Sequence, residues 1–109
     1  VHNAILSDNV CNILTFREDI GRHNTVDKII AYILQNEINI ENKVLAISSR
    51  ISAEIVKKVA NINIPIIISQ SPPSTKAINI AQKEAITIIG FVRKRRMNIY
   101  TSEKRVIYP

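Results

Sequence analysis

What most limits the fold of this chain is an alternation. Short, isoleucine-rich apolar runs recur along it, and the stretches between them carry apolar residues at helical spacing. Lys43 to Ser48, the run that Pro65 opens through Ile68, and Ile86 to Val92 have the length of buried strands and are far too short to cross a bilayer. Between them, Ile55, Val56, Val59 and Ala60 mark one face of a helix starting near Ser52, and Ala77, Ile80 and Ala81 mark one face of a helix capped by Ser74. Upstream, Cys11 to Phe16 reads as a strand, and Val26, Ile29, Ile30, Ile33 and Leu34 follow the helical rhythm behind Asn24 as cap, with Asp27 favouring the same helix start. Met97 to Thr101 predicts a last strand after the basic loop Arg93-Lys94-Arg95-Arg96, and the polar residues from Val1 onward read as helix-like. Strands alternating with helices predict an α/β fold, a three-layer α/β/α sandwich around a mixed, mostly parallel sheet.

At 109 residues and 46% hydrophobic composition the chain can bury one core. It starts at Val1 rather than methionine, so the expectation is one unit, residues 1–109, within a longer protein. Fifteen basic residues against nine acidic give a net charge of +6, which favours anionic partners. Cys11 is the single cysteine, so no internal disulfide or Cys-x-x-Cys pair is possible within these residues. Its predicted place in a strand beside Val10, Ile13 and Leu14 makes it a small buried thiol rather than a nucleophile. That cysteine usage, with no signal-peptide pattern and no spanning run, leads to the expectation of a cytoplasmic protein without a membrane partner.

In parallel sheets ligands gather beyond the carboxyl ends of the strands, and four polar loops fall there: Glu18 to Asn24, Ser48 to Ser52, Ser69 to Thr75 and Arg93 to Asn98. The first carries carboxylates, Arg22, His23 and Asn24 into a helix start, with Gly21 giving the backbone freedom. His23 reads either as a proton carrier or phosphate donor, or as a hydrogen-bonded structural residue. Arg50, behind two serines, reads either as a bidentate grip on phosphate or as a solvated arginine ahead of a helix. Arg93 to Arg96 directly follow an apolar strand with no carboxylate near in sequence, which favours an anion site over a solvated charge run. There is no Walker loop and no Gly-x-Gly-x-x-Gly; the lack of His-x-Glu and Pro-Cys-x-x-Cys excludes zinc-deaminase chemistry. The residues alone leave open a basic nucleotide- or nucleic-acid-binding module without catalysis, although 5% aromatics weighs against stacking of single strands.

Taken together, the motifs resemble one family, the formate dehydrogenase accessory sulfurtransferases, or FdhD family. The matching pieces are Val1-His2-x-Ala4, Glu18-Asp19-Ile20-Gly21-Arg22-His23-Asn24-x-x-Asp27-Lys28, Ser48-x-Arg50-x-Ser52-x-Glu54, Pro73-Ser74, and Gly90-Phe91-x-Arg93-x-x-Arg96-x-Asn98-x-Tyr100-Thr101. The resemblance implies a cytidine-deaminase-like fold and a homodimer. It also implies transfer of sulfur from a cysteine desulfurase to the molybdenum cofactor, bis-molybdopterin guanine dinucleotide, before that cofactor enters formate dehydrogenase. It assigns cofactor binding to Phe91, Val92, Arg93, Lys94, Arg95 and Arg96. Arg22 and Arg50 would join Arg93 and Arg96 in clamping phosphates, and Asn24, Ser74 and Asn98 would offer neutral hydrogen bonds, with His23 as a proton carrier. The family's sulfur-carrying Cys-x-x-Cys lies upstream of the segment matched here, so these residues would supply docking and no catalytic group. Ser49 and Lys94 stand where the family usually has glycine.

Overall fold

The N-terminal residues form a strand rather than a helix. Ala4 and Leu6 are fully buried, whereas Asn3, Ile5 and Ser7 are half-buried on the other side, a period of two that only an extended chain gives. The computed structural model describes residues 1–93 and 96–102. Its elements are β1 (His2–Ser7), β2 (Ile13–Asp19), α1 (Arg22–Gln35), β3 (Val44–Ile47), α2 (Ala53–Ile62), β4 (Ile66–Ser69), α3 (Thr75–Lys83), β5 (Thr87–Arg93) and β6 (Arg96–Ile99). The helices and the apolar strands fall where the periodicity places them.

The six strands lie in the order β2-β1-β3-β4-β5-β6. The sheet is mixed, as expected, but its parallel part is confined to β3, β4 and β5. The pairings of β1 with β2 and with β3, and of β5 with β6, are antiparallel. Four of the six strands, β2, β3, β4 and β5, run the same way, and the antiparallel pairings at one side of the sheet come from β1, a segment expected to be helix-like. As a strand it slots between β2 and β3 and turns both neighbouring pairings antiparallel.

The connections β2-α1-β3, β3-α2-β4 and β4-α3-β5 each join strands that run the same way, and each steps across the sheet in the same direction. Right-handed crossovers in one direction put all three helices on one face. The core confirms it: Val26, Ile29 and Ile33 of α1, Ile55, Val56 and Val59 of α2, and Ala77 and Ala81 of α3 share one cluster with Ala4, Leu6, Leu45, Ile47, Ile67 and Ile88. The described residues therefore supply two layers, helices on sheet. On the opposite face Ile5, Val44, Ala46, Ile66 and Ile68 stay half-exposed and outside that cluster.

Cys11 is not in a strand. It lies exposed in the turn between β1 and β2 with φ 67°, because Asp8 closes the turn by accepting from the backbone N–H groups of Val10 and Asn12 at 2.9 Å. Among the described residues no helix is long and apolar enough to cross a membrane.

Candidate functional site

The helix starts α1, α2 and α3 all lie at the carboxyl end of the parallel strands, as the crossovers require. Ser52 and Ser74 cap α2 and α3, their hydroxyl oxygens accepting from Ile55 N–H at 3.3 Å and Ala77 N–H at 3.1 Å. The cap of α1 differs from the expectation. Gly21 holds that position in an extended conformation with φ −91°, so no unusual backbone freedom is used there. Asn24 is inside the first turn and donates to Asp19 Oδ1 at 3.3 Å, and Asp27, further along, accepts from Lys58 Nζ at 2.9 Å. Asp19 does the work expected of the cap, since its Oδ1 also takes the Gly21 N–H at 2.9 Å and its Oδ2 lies 2.9 Å from Lys28 Nζ.

The Gly21 N–H, then Lys28 and Asn24, hold the Asp19 carboxyl down to about 2. A carboxyl depressed in the folded state stabilises above its unfolded value of 3.8 and loses that contribution as pH falls toward 2. Urea unfolding of Asp19→Asn should therefore show a deficit against the parent at pH 6 that shrinks below pH 4 and vanishes near pH 2. A deficit of the same size at every pH would mean that the charge of Asp19 plays no part.

With Asp19, Asn24 and Lys28 occupied in shaping the turn, Arg22 and His23 remain. His23 Nε2 lies 3.3 Å from Glu54 Oε2 and ties the start of α1 to the start of α2. Arg22 instead lines a cleft of about 200 Å³ with Arg50, Ile51, Ser52 and Ser74, so all three helix starts contribute to one site. Among the described residues neither guanidinium forms an ion pair. Both stand at the positive ends of helices, where the macrodipole opposes a cation. Two unpaired guanidiniums facing helix N-termini form an arrangement that an anion would relieve.

The walls of the cleft are stitched together. Ser69 Oγ donates to the Ser49 carbonyl at 2.6 Å and accepts from Ser71 N–H at 3.0 Å, and Ser74 N–H donates to the Ile51 carbonyl at 3.0 Å beside a parallel bridge of Ile51 with Pro73. Ser49 is buried without a positive φ, so its side chain fits there with no backbone strain.

Arg96 does not line the cleft. It is exposed on β6, at the far edge of the sheet, opposite Arg93. Asn98 pairs with Gly90 on the same edge, its Nδ2 3.4 Å from Tyr100 Oη. Lys94 and Arg95, with the side chains of Phe91 and Arg93, lie outside the described residues. The end of β5 and the start of β6 nevertheless lie toward the same rim as the cleft, since β5 runs parallel to β4 and continues past the level of Ser69.

Val92 belongs to a second cavity, which sequence reasoning missed. It holds about 270 Å³ on the open sheet face, with a floor of Ile5, Ala46 and Ile68 and with Asn3, Ser48 and Gln70 among its polar residues. Its signal was the alternation from Asn3 to Ser7, which places Asn3 beside Ile5 once those residues are read as a strand.

Fold and cleft define a class: an α/β unit with a mixed sheet whose three helix starts present arginines to a shared anion-type site. The FdhD/NarQ family model matches residues 1–107, and the chain belongs to that family. It is 43% identical over 106 residues to a sulfur carrier protein FdhD of Shouchella clausii, and 48% identical over 101 residues to a protein FdhD of Methanocaldococcus jannaschii. Those alignments cover 97% and 93% of this chain but only 39% and 44% of the relatives, so the chain spans about two fifths of their length. A crystal structure described as a candidate formate dehydrogenase accessory protein of Desulfotalea psychrophila superposes with a TM-score of 0.90 at 31% identity, over 97% of this chain and 47% of the other.

Proposed function

We propose that this chain is the cofactor-docking part of a sulfur carrier that serves formate dehydrogenase, and that its cargo is bis-molybdopterin guanine dinucleotide. The observation that carries the reading is the cleft in which Arg22 and Arg50, both without a carboxylate partner among the described residues, face the starts of α1, α2 and α3. A pyrophosphate fits that chemistry: two planar forks grip its oxygens, while the capping hydroxyls of Ser52 and Ser74 keep their O–H groups free to donate. The relatives' names, sulfur carrier protein and formate dehydrogenase accessory protein, supply the process in which such docking belongs.

The cysteine chemistry lies elsewhere. Cys11, the one cysteine of these residues, is on the β1–β2 turn, beside the start of β3, whereas the cleft lies beyond the ends of β3 and β4. A strand's length separates the thiol from anything held in the cleft, so the sulfur-bearing thiol of the reading comes from residues outside this chain. The share of this chain is to seat and orient the cargo, with a cysteine desulfurase as sulfur donor, formate dehydrogenase as recipient, a homodimer as the working form and the cytoplasm as the place. His23, paired with Glu54, ties the start of α1 to the start of α2 and takes no part in the chemistry.

Calorimetry on the full protein tests the reading. Guanosine diphosphate should bind at least about tenfold more tightly than adenosine diphosphate, the worth of about one charge-free recognition contact or more, and both should weaken as salt rises. Binding to oligonucleotides with a steep salt slope and no guanine preference would instead identify a nucleic-acid module.

A further inference from the structure

We propose that the arginine cleft takes up its anion together with a proton, which His23 accepts from solvent as the anion enters. The inference deepens the docking reading and rests on it, since it concerns the same cleft. Its ground is the pair His23–Glu54, in which Nε2 of a half-buried imidazole lies 3.3 Å from Oε2 of an exposed carboxylate. The pair stands directly behind the cleft: His23 follows Arg22 by one residue and Glu54 follows Ser52 by two, and Arg22 and Ser52 both line it. Glu54 is also the one acid in the first turn of any of the three helices. An acid there suits the positive end of α2, yet it opposes any anion that seeks the same end.

The other charges around His23 are matched or turned elsewhere. Asp27 of α1 pairs with Lys58 of α2 at 2.9 Å, and Asp19, at the end of β2, pairs with Lys28 at 2.9 Å. On β1, His2 stands opposite Asp19 in register; on β2, Arg17 lies over the Tyr32 ring and Glu18 stands opposite Asn3, which lines the cavity of the open sheet face. Lys57 follows Glu54 on α2, but His23 is the one ion-pair partner of Glu54 among the described residues. The charges left to answer an anion at the helix starts are Arg22, Arg50 and this pair.

Histidine is the side chain whose ordinary titration falls between about pH 5 and 8. With the imidazole neutral, the Glu54 charge is uncompensated and repels an anion in the cleft. With it protonated, the pair is neutral overall and places a further cation beside Arg22. The anion therefore favours the protonated form, and by linkage the protonated form favours the anion to the same degree. Affinity should rise as pH falls through that range, and a departing anion should release the proton with it.

Calorimetry of inorganic pyrophosphate on the full protein tests this, with parent, His23→Gln and Glu54→Gln compared at about pH 5.5 and about pH 8. The titration of pyrophosphate itself is common to all three and cancels in the comparison. His23→Gln, which keeps an N–H for Glu54, should bind like the parent at the higher pH and about three- to fivefold more weakly at the lower, the worth of a partly exposed ion pair. Repeated in two buffers of different ionisation heat, it should also take up fewer protons per anion than the parent. Glu54→Gln should bind more tightly than the parent at the higher pH, by about the same factor. A purely structural tie between the helices predicts the opposite, both variants weaker at both pH values. Equal pH slopes and proton counts in parent and His23→Gln, or a Glu54→Gln no tighter than the parent at the higher pH, would overturn the coupling while docking stands. A parent protein that does not bind pyrophosphate overturns docking, and this inference with it.

Discussion

Replacing Arg22 and Arg50 together by alanine should lower pyrophosphate affinity in the full protein by at least about a hundredfold. Each charge-assisted contact contributes about 1.5–3 kcal/mol, and the cleft offers one guanidinium from each of two sides. Each single variant should lose about tenfold or more. Lysine at either position should recover only part of this, because an ammonium keeps the charge and loses the planar fork. The same substitutions should leave the unliganded protein as stable as before, or slightly more so. Both cations sit at helix N-termini, where the macrodipole opposes them by about 0.3–1 kcal/mol each, and among the described residues no carboxylate compensates. Thermal denaturation shows both halves at once: pyrophosphate should raise the melting temperature of the parent and leave that of the double variant unmoved. An equal rise in both would strip the cleft of its role.

That opposition between stability and binding also explains what could be read in advance. Arg22 and Arg50 were legible because loops that follow parallel strands and feed helices must share a rim, and the βα alternation is written in Leu45, Ile47, Ile67 and Ile88 against Ile55, Val56, Val59, Ala77 and Ala81. Arg96 was not legible as an edge residue, since its distance from the cleft depends on β5 and β6 forming an antiparallel hairpin at the end of the sheet order. Asn24 was misassigned because an asparagine near a helix start has two equally local uses. It can cap, or it can bond to the carboxylate that does the fixing, and here Asp19 reached Gly21 N–H first. The N-terminal strand was missed for a different reason. Six residues with polar ends carry too short an alternation to outweigh a helical reading, and only pairing with β2 and β3 decides it. With the strand went the open face, and with the open face went Asn3.

Gly90→Val should destabilise the protein by about 2–3 kcal/mol in urea unfolding, and Gly90→Ala by less, and both should weaken pyrophosphate binding although residue 90 does not line the cleft. The reason is room rather than backbone freedom, for no glycine here has a positive φ. A Cβ on Gly90 would lie 2.9 Å from Tyr100 Cε2, 3.1 Å from Pro73 Cδ and 3.2 Å from the Ser71 carbonyl oxygen. The Tyr100 ring can turn away from an alanine. The carbonyl cannot, because Ser71 is held through Ser69 Oγ and its loop is pinned again where Ser74 N–H bonds to Ile51. Valine adds two methyl groups to that contact, so either those bonds open or β5 shifts against β4. Each route moves Ser74, the residue that brings the start of α3 into the cleft. Stability and pyrophosphate affinity should therefore fall together across the series glycine, alanine, valine. A valine variant that is destabilised yet binds pyrophosphate like the parent would show that the loop after β4 yields without disturbing the arginines, and that the third wall of the cleft contributes nothing to the anion.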